Sequence, residues 1–265
     1  MNLSYYFYYK ALKFLKCGLA SRGGRNFLGR ICVHHQGGGL KKNYRLIDFF
    51  RRVNSLGFVV KLSFDCNRSS LLALVLYNNG LSSFIIATDG LRKGSLIYSG
   101  LPDMLLESLN DYEDILGWAL PLHAVKLFSV VNMIESSPKK GSSLVRSAGS
   151  SGLLVGYLAG KAVLKLNSCW QVFVDKHCMA SVGTVSNVNF KYFRIDSAGK
   201  ARGLGIRPRV RGVAKNPCDH PHGGGNGKKS KKPCPVNRYG VPSVGHSTKN
   251  RKIDRQKRRL FKKIL

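Results

Sequence analysis

Residues 201–265 carry 19 basic and 2 acidic side chains, a net charge of +17 in 65 residues. Like charges at that density repel, and the segment has too few apolar residues to offset the repulsion with a core. It is therefore expected to order only against a polyanion, as an extended basic arm. The constraint relaxes towards the middle of the chain. Residues 1–100 hold 15 basic and 3 acidic residues, and residues 101–200 hold 10 and 8. A nearly neutral centre that can fold by itself thus lies between two strongly basic ends. The whole chain, 265 residues with a net charge of +31, points to a nucleic-acid partner ahead of an anionic membrane. A merely solvated face carries mixed signs. The basic tail lacks the wide apolar helical face that a membrane surface requires, and no apolar run reaches the length of a membrane span.

The centre reads as short strands. FVVKLSF (58–64), LLALVLY (71–77), SFIIATD (83–89) and GSLIYSG (94–100) are each bounded by turn residues, and Asn79–Gly80 between two apolar runs signals a hairpin. A second series follows in LHAVKLFSVV (122–131), GLLVGYLAG (152–160), KAVLKLN (161–167), CWQVFVD (169–175) and MASVGTVSN (179–187). Alternation in KAVLKLN and WQVFVD indicates strands buried on one face. The polar stretch 136–151 reads as a long connection. Strands at this spacing predict two small β-barrels in tandem. LPDMLLESLNDYEDI (101–115) holds five of the thirteen acids and reads as an exposed insertion turned away from RNA. The resulting organisation is a basic leader and arm over 1–57, one barrel with the acidic insertion over 58–116, a second barrel over 117–200 and a basic C-terminal arm over 201–265.

The first 25 residues contain no acid, three Lys and two Arg among many aromatics. They read either as a leader that lies on RNA or as a mitochondrial transit peptide. Seven cysteines without a C-x-x-C pair in a chain of this length argue for a reducing compartment rather than a disulfide framework. From 22 to 57 glycine pairs and triplets alternate with Arg25, Arg30, His34, His35, Lys41, Lys42 and Arg45. Glycines let backbone approach a ligand closely, and the cations suit a phosphate track.

KNPCDHPHGGGNGKK (215–229) concentrates the remaining chemistry. As a zinc site it would use Cys218, His220, His222 and Cys234. The C-x-H-x-H spacing with interleaved prolines splays alternate side chains, where a structural zinc site needs four converging ligands. As a catalytic loop it offers Asp219 beside His220, but no nucleophile stands at a defined spacing and neighbours on an extended chain point apart. The third reading is an RNA-packing loop. Gly223, Gly224 and Gly225 admit a phosphate, and His220 and His222 stack on bases or donate to oxygens. Lys228 and Lys229 follow at once. Upstream, R-P-R-V-R sets Arg207, Arg209 and Arg211 on one side of an extended strand. Lys249, Arg251 and Arg255 continue the basic track.

These runs are similar to those of a known family. GVAKNPCDHPHGGG (212–225) resembles the signature of the universal second protein of the large ribosomal subunit. GRNFLGRICVHHQGGGLKKNYRLIDF (24–49), DCNRSSLLALVLYNNG (65–80), LVRSAGS (144–150) and RGLGIRPRVRGVAKNP (202–217) resemble further blocks in collinear order. The resemblance implies an OB-fold-like barrel followed by an SH3-like barrel, with extended arms in ribosomal RNA. It adds Arg68, Arg146, Arg202 and Asn216 to the expected RNA contacts. The histidine of the D-H-P-H motif maps to His220, in the loop that the family holds nearest the peptidyl transferase centre, where it positions RNA rather than catalysing. Partners implied are large-subunit rRNA, neighbouring ribosomal proteins and the small subunit across the interface, with no membrane and no homo-oligomer. The protein itself would bind no cofactor, and Mg2+ would come with the rRNA. Lys215 stands where the family often has Met, and Asn226 where it commonly has an acid. Divergence over 152–195, the acidic insertion and the aromatic leader look like an organellar member, mitochondrial first and plastid as the alternative.

Overall fold

The computed structural model describes residues 13–100, 115–225 and 234–244, with the backbone of 261–263. The leader before residue 13, nearly all of the acidic insertion, Lys228, Lys229, Lys249, Arg251 and Arg255 lie outside the described residues. The protein is mainly β, as an OB-fold-like barrel followed by an SH3-like barrel requires. It divides into two compact units. One gathers the described parts of Met1–Ala20, Lys42–Arg194 and Lys257–Leu265, and the other those of Ser21–Lys41 and Ile195–Gln256.

In the larger unit β1 (Lys16–Leu19) pairs antiparallel with β2 (Lys42–Arg45), Cys17 facing Tyr44. Then come β3 (Ser55–Ser63), β4 (Leu72–Tyr77), β5 (Ser82–Ile86) and β6 (Leu96–Ser99). β4 and β5 form the expected hairpin, closed by Tyr77 N donating to Leu81 O and Gly80 N to Tyr77 O, each at 2.9 Å. The near-continuous apolar run of β4 has a physical reason, since both of its faces are buried. Ala73, Val75 and Tyr77 pack with Val59, Ile85 and Ile97 inside the first barrel. Leu72 and Leu74 turn the other way, onto Phe84, Ile86, Met133 and Val185. Each of the Val, Leu, Ile, Phe and Met side chains among them contributes about 1.5–3 kcal/mol by leaving water.

The second barrel comprises β7 (Ala119–Pro121), β8 (Val130–Asn132), β9 (Ile134–Glu135), β10 (Ser142–Leu144), β11 (Gly152–Leu158), β12 (Lys161–Leu166), β13 (Trp170–Asp175) and β14 (Met179–Val182). Leu120, Leu122, Val131, Ile134, Leu154, Leu164, Val172, Val174 and Val182 fill it. β15 (Phe261–Lys263) adds to β13. The sheet runs β15-β13-β12-β11-β8-β14-β7-β6-β3-β4-β5, and the barrels join where β6 and β7 pair in parallel at Ser99 and Ala119.

Three expectations need correction. Residues 122–131 are not one strand. Leu122–Ala124 form a 3-10 turn, Phe128 takes φ +62°, and the strand begins at Val130. The strand expected over 179–187 ends at Val182, where Gly183 N bonds back to Val130 O at 2.7 Å. The stretch 136–151 is not wholly a connection, because Ser142–Leu144 pairs with β9. Its organiser is Glu135, a carboxylate 1% exposed. Glu135 accepts from Gly141 N at 2.8 Å, Met179 N at 3.1 Å and Lys139 N at 3.3 Å, satisfying a charge that burial would otherwise penalise.

Candidate nucleic-acid interface

In the smaller unit the two glycine-rich stretches, far apart in sequence, are one structure. Gln36 bridges Ile206, Arg207 N donates to His35 O at 2.9 Å, Gly37 N to Gly205 O at 2.9 Å, and Leu40 N to Gly203 O at 3.0 Å. His35 Nδ1 lies 3.0 Å from Pro208 O, and Arg238 Nη1 lies 3.4 Å from His34 Nε2. A short helix, α1 (Ala198–Gly203), capped by Ser197, leads into this pairing. Gly24 shows why the first stretch needs glycine. It has φ +75°, and a Cβ there would lie 2.0 Å from Val33 O. Asn26 Oδ1 accepts from Leu28 N and Arg30 N at 3.0 and 2.9 Å, so Arg25 and Arg30 leave a tight loop with both side chains exposed. Arg202 reaches Gly37 O at 3.5 Å. Arg207, Arg209 and Arg211 are all exposed along residues 207–211, which form neither helix nor strand.

The D-H-P-H loop folds back on a 3-10 turn at Gly212–Ala214. Asp219 N and His220 N both donate to Asn216 O, and Gly223 N returns to His220 O at 2.8 Å. Gly223 is buried against the backbone of Lys215 and Asn216, and a Cβ on it would lie 2.3 Å from Asn216 O. His222 N donates to His220 Nδ1 at 3.0 Å, which places the proton of the neutral His220 ring on Nε2. Partial burial, with His222, Lys215 and Arg238 nearby, holds the His220 pKa below its ordinary value. A half-buried, neutral imidazole in this tautomer can donate a hydrogen bond through Nε2. His222 Nε2 lies 3.0 Å from the Cys234 carbonyl. Backbone groups thus engage one ring nitrogen of each histidine. Among the described residues no three His, Cys, Asp or Glu side chains gather in a metal-binding group, and the zinc reading has no support.

The larger unit carries the other expected cations. Arg68 and Arg146 lie over one ring, Phe49, at 5.9 and 5.4 Å from its centroid. Asp65 takes Arg68 Nε at 2.6 Å and fixes its plane. Arg45 binds Ser63 Oγ at 2.9 Å and lies 5.6 Å over Phe84. Lys42 is half-buried at the start of β2, and Lys41, the last residue of the first stretch of the smaller unit, is exposed. Sequence reasoning missed the residues around Phe49 that shape this region. Asp48 Oδ1 accepts from Phe50 N and Arg51 N, holding the turn that presents Phe49. Arg52 lies 5.0 Å over Phe50 and 3.7 Å from Glu135. Arg51 is 5% exposed and points inward, donating to Ser99 Oγ, Tyr98 O and Gly117 O at 2.8, 3.3 and 3.2 Å. Tandem arginines look alike on paper, and only the left-handed backbone of Arg51, φ +53°, sends one in and the other out.

Comparison with known proteins decides the family. Residues 13–99 match the model for the RNA-binding N-terminal domain of ribosomal proteins L2, and residues 116–240 match that for the C-terminal domain. The chain belongs to the ribosomal protein L2 family. Relatives named large ribosomal subunit protein uL2 include that of Chelativorans sp. (strain BNC1), 43% identical over 92% of this chain and 85% of its own length. That of Sinorhizobium medicae is 42% identical and that of Brucella abortus 41%, over the same shares. In this L2 protein the boundary between the two matched domains falls across 100–115, where the acidic insertion stands.

Proposed function

We infer that this protein is a structural constituent of the large ribosomal subunit that binds its rRNA. The observation that carries the reading is the collinear match of both L2 domains, over residues 13–99 and 116–240. The cation arrangement gives the mode. Arg68 and Arg146 stacked over Phe49 present charge on a rigid aromatic base, and the paired glycine-rich loops bring peptide backbone close to phosphate. Recognition rests on RNA shape, phosphate and 2′-OH, with local stacking. The part played in translation is structural rather than enzymatic.

The finer reading is proposed with it. Arg25, Arg30, His34, His35, Lys41, Lys42, Arg45, Arg202, Arg207, Arg209 and Arg211 follow the RNA backbone, and the loop of Asn216, His220, His222 and Gly223–Gly225 enters the peptidyl transferase region. The protein supports assembly and subunit association, touches neighbouring ribosomal proteins and the small subunit, and meets Mg2+ only through rRNA. The alphaproteobacterial relatives fit a mitochondrial origin, and mitochondrial ribosomes are the proposed location, with plastid ribosomes as the alternative. A sucrose gradient of organelle lysate at low and high magnesium, followed by mass spectrometry, tests this. The chain is expected to sediment with the large subunit and to stay there when subunits part. Sedimentation at the top of both gradients would overturn the reading. For the loop, His220→Ala is expected to leave incorporation near wild type while peptide-bond formation by the isolated subunits falls. Equal loss of both would make His220 an assembly residue only.

A further inference from the structure

Residues 188–195, VNFKYFRI, contain no acid and belong to none of the runs that point to RNA in sequence. Here a 3-10 turn, Val188–Tyr192, stands out from the larger unit. Three residues per turn bring side chains i and i+3 onto one line, and Phe190 and Phe193 accordingly stack. Their rings are 6.0 Å apart and inclined by 17°. Phe190 is 45%, Phe193 64% and Tyr192 70% exposed. Lys191 Nζ lies 4.9 Å over the Tyr192 ring, and Arg194 is exposed beside it. Rings interleaved with cations match the two surfaces of single-stranded nucleic acid, the base face and the phosphate.

The root of the turn is rigid and well placed. Asn187, at φ +65°, donates through Nδ2 to Ser69 O at 2.7 Å. Ser69 Oγ accepts from Ala148 N at 3.2 Å, and Ser186 Oγ from Leu71 N at 3.1 Å. The aromatic turn is thus anchored on the residues that follow Arg68 and Arg146, the two arginines over Phe49. It extends the same face rather than opening a separate one.

We propose that Phe190, Tyr192 and Phe193 form a stacking platform for unpaired bases of RNA, with Lys191 and Arg194 holding the flanking phosphates. The proposal rests on the rRNA-binding reading above and adds an unpaired-base subsite to it. The test compares full-length wild type with Phe190→Leu/Phe193→Leu, which keeps apolar bulk and removes the rings. Binding is read by fluorescence anisotropy on a labelled RNA hairpin with a loop of unpaired adenines and on the same stem as an uninterrupted duplex. Wild type is expected to prefer the hairpin. The double variant is expected to lose roughly 5- to 100-fold on the hairpin, and to match wild type on the duplex with an unchanged salt slope, because stacking releases no counterions. Equal losses on both RNAs, or a hairpin affinity that does not move, would overturn the platform. Should the variant bind both RNAs normally but release a neighbouring protein from purified subunits, the turn is a protein-docking face and the proposal is wrong. Arg68→Ala/Arg146→Ala separates the two layers of inference. Its loss on both RNAs is expected, whereas wild type binding neither RNA would remove the rRNA reading itself and the platform with it.

Discussion

His220 and Cys178 show how one side chain's surroundings set its chemistry. The His220 pKa lies below the ordinary value through partial burial, with His222, Lys215 and Arg238 nearby adding to the effect. Its Nδ1 is already an acceptor. Because the unfolded value, about 6.5, is the higher one, the unfolded chain takes the proton first as pH falls. The contribution to stability is complete above that value and is lost on acidification below it. An NMR titration of the free protein is expected to show His220 titrating at a lower pH than an unperturbed histidine, with the His222 amide shifting in step. A midpoint at or above the ordinary value would contradict the geometry. Burial pushes the Cys178 thiol up to about 12, and Glu135 and Asp175 add to the effect. Cys17, Cys32, Cys66, Cys169, Cys218 and Cys234 are exposed. Alkylation of the folded protein at neutral pH is expected to label those six within the time that leaves Cys178 unmodified, and denaturant is expected to equalise all seven. Early labelling of Cys178 would place it outside the second core.

At the scale of elements, the D-H-P-H loop depends on a close backbone approach that only Gly223 allows. Gly223→Ala is expected to loosen residues 212–225, read as faster amide exchange there by at least about tenfold, a loss of roughly 1.4 kcal/mol or more. Gly199→Ala, where an added Cβ meets nothing within 4 Å, serves as the control and is expected to be neutral or slightly stabilising within α1. Unchanged exchange in the Gly223 variant would mean that the loop is open rather than closed on its own backbone. How legible such elements are depends on how local their cause is. Strands β3–β6 and β11–β13 could be read because apolar alternation and turn residues are properties of a few neighbouring residues. The stretch 122–131 misled because its valines and leucines favour strand wherever they occur, while the turn at Phe128 is imposed by Leu154 O, which accepts the Phe128 amide at 2.8 Å. β9 and β10 are too short to carry a period. They exist because Glu135 ties 139, 141 and 179 together, which no local window contains. Phe190 and Phe193 escaped notice for the opposite reason. An F-x-x-F pair reads as ordinary core until its exposure is known.

The whole molecule is a polycation with a net charge of +31, and salt is the variable that reports on its proposed RNA contacts. Removing one cation that neutralises a phosphate is expected to lower the slope of log K against log salt by roughly 0.7–0.9. Replacing Arg207, Arg209 and Arg211 together by Ala is therefore expected to reduce the slope by about 2–3 and to impair incorporation into subunits. A normal slope with normal incorporation would dismiss the extended backbone track. Net charge and its distribution were plain in the sequence, since charge needs no fold to be counted. The pairing of 36–40 with 203–207 was not, because glycine carries no side-chain pattern from which a distant partner can be inferred.

That pairing also sets a timetable. His35 and the Pro208 carbonyl it meets are separated by 173 residues. At a translation rate of roughly 5–20 residues per second, the first stretch is made about 10–35 seconds before its partner exists. Through that interval a basic, glycine-rich segment has neither its partner's hydrogen bonds nor a core to hold it. The barrels between can already be folded while the smaller unit is still half made. A nascent chain whose first 190 residues have emerged would therefore carry both barrel cores while residues 36–40 still lack their partner. Only the last quarter of synthesis supplies the partner of residues 36–40.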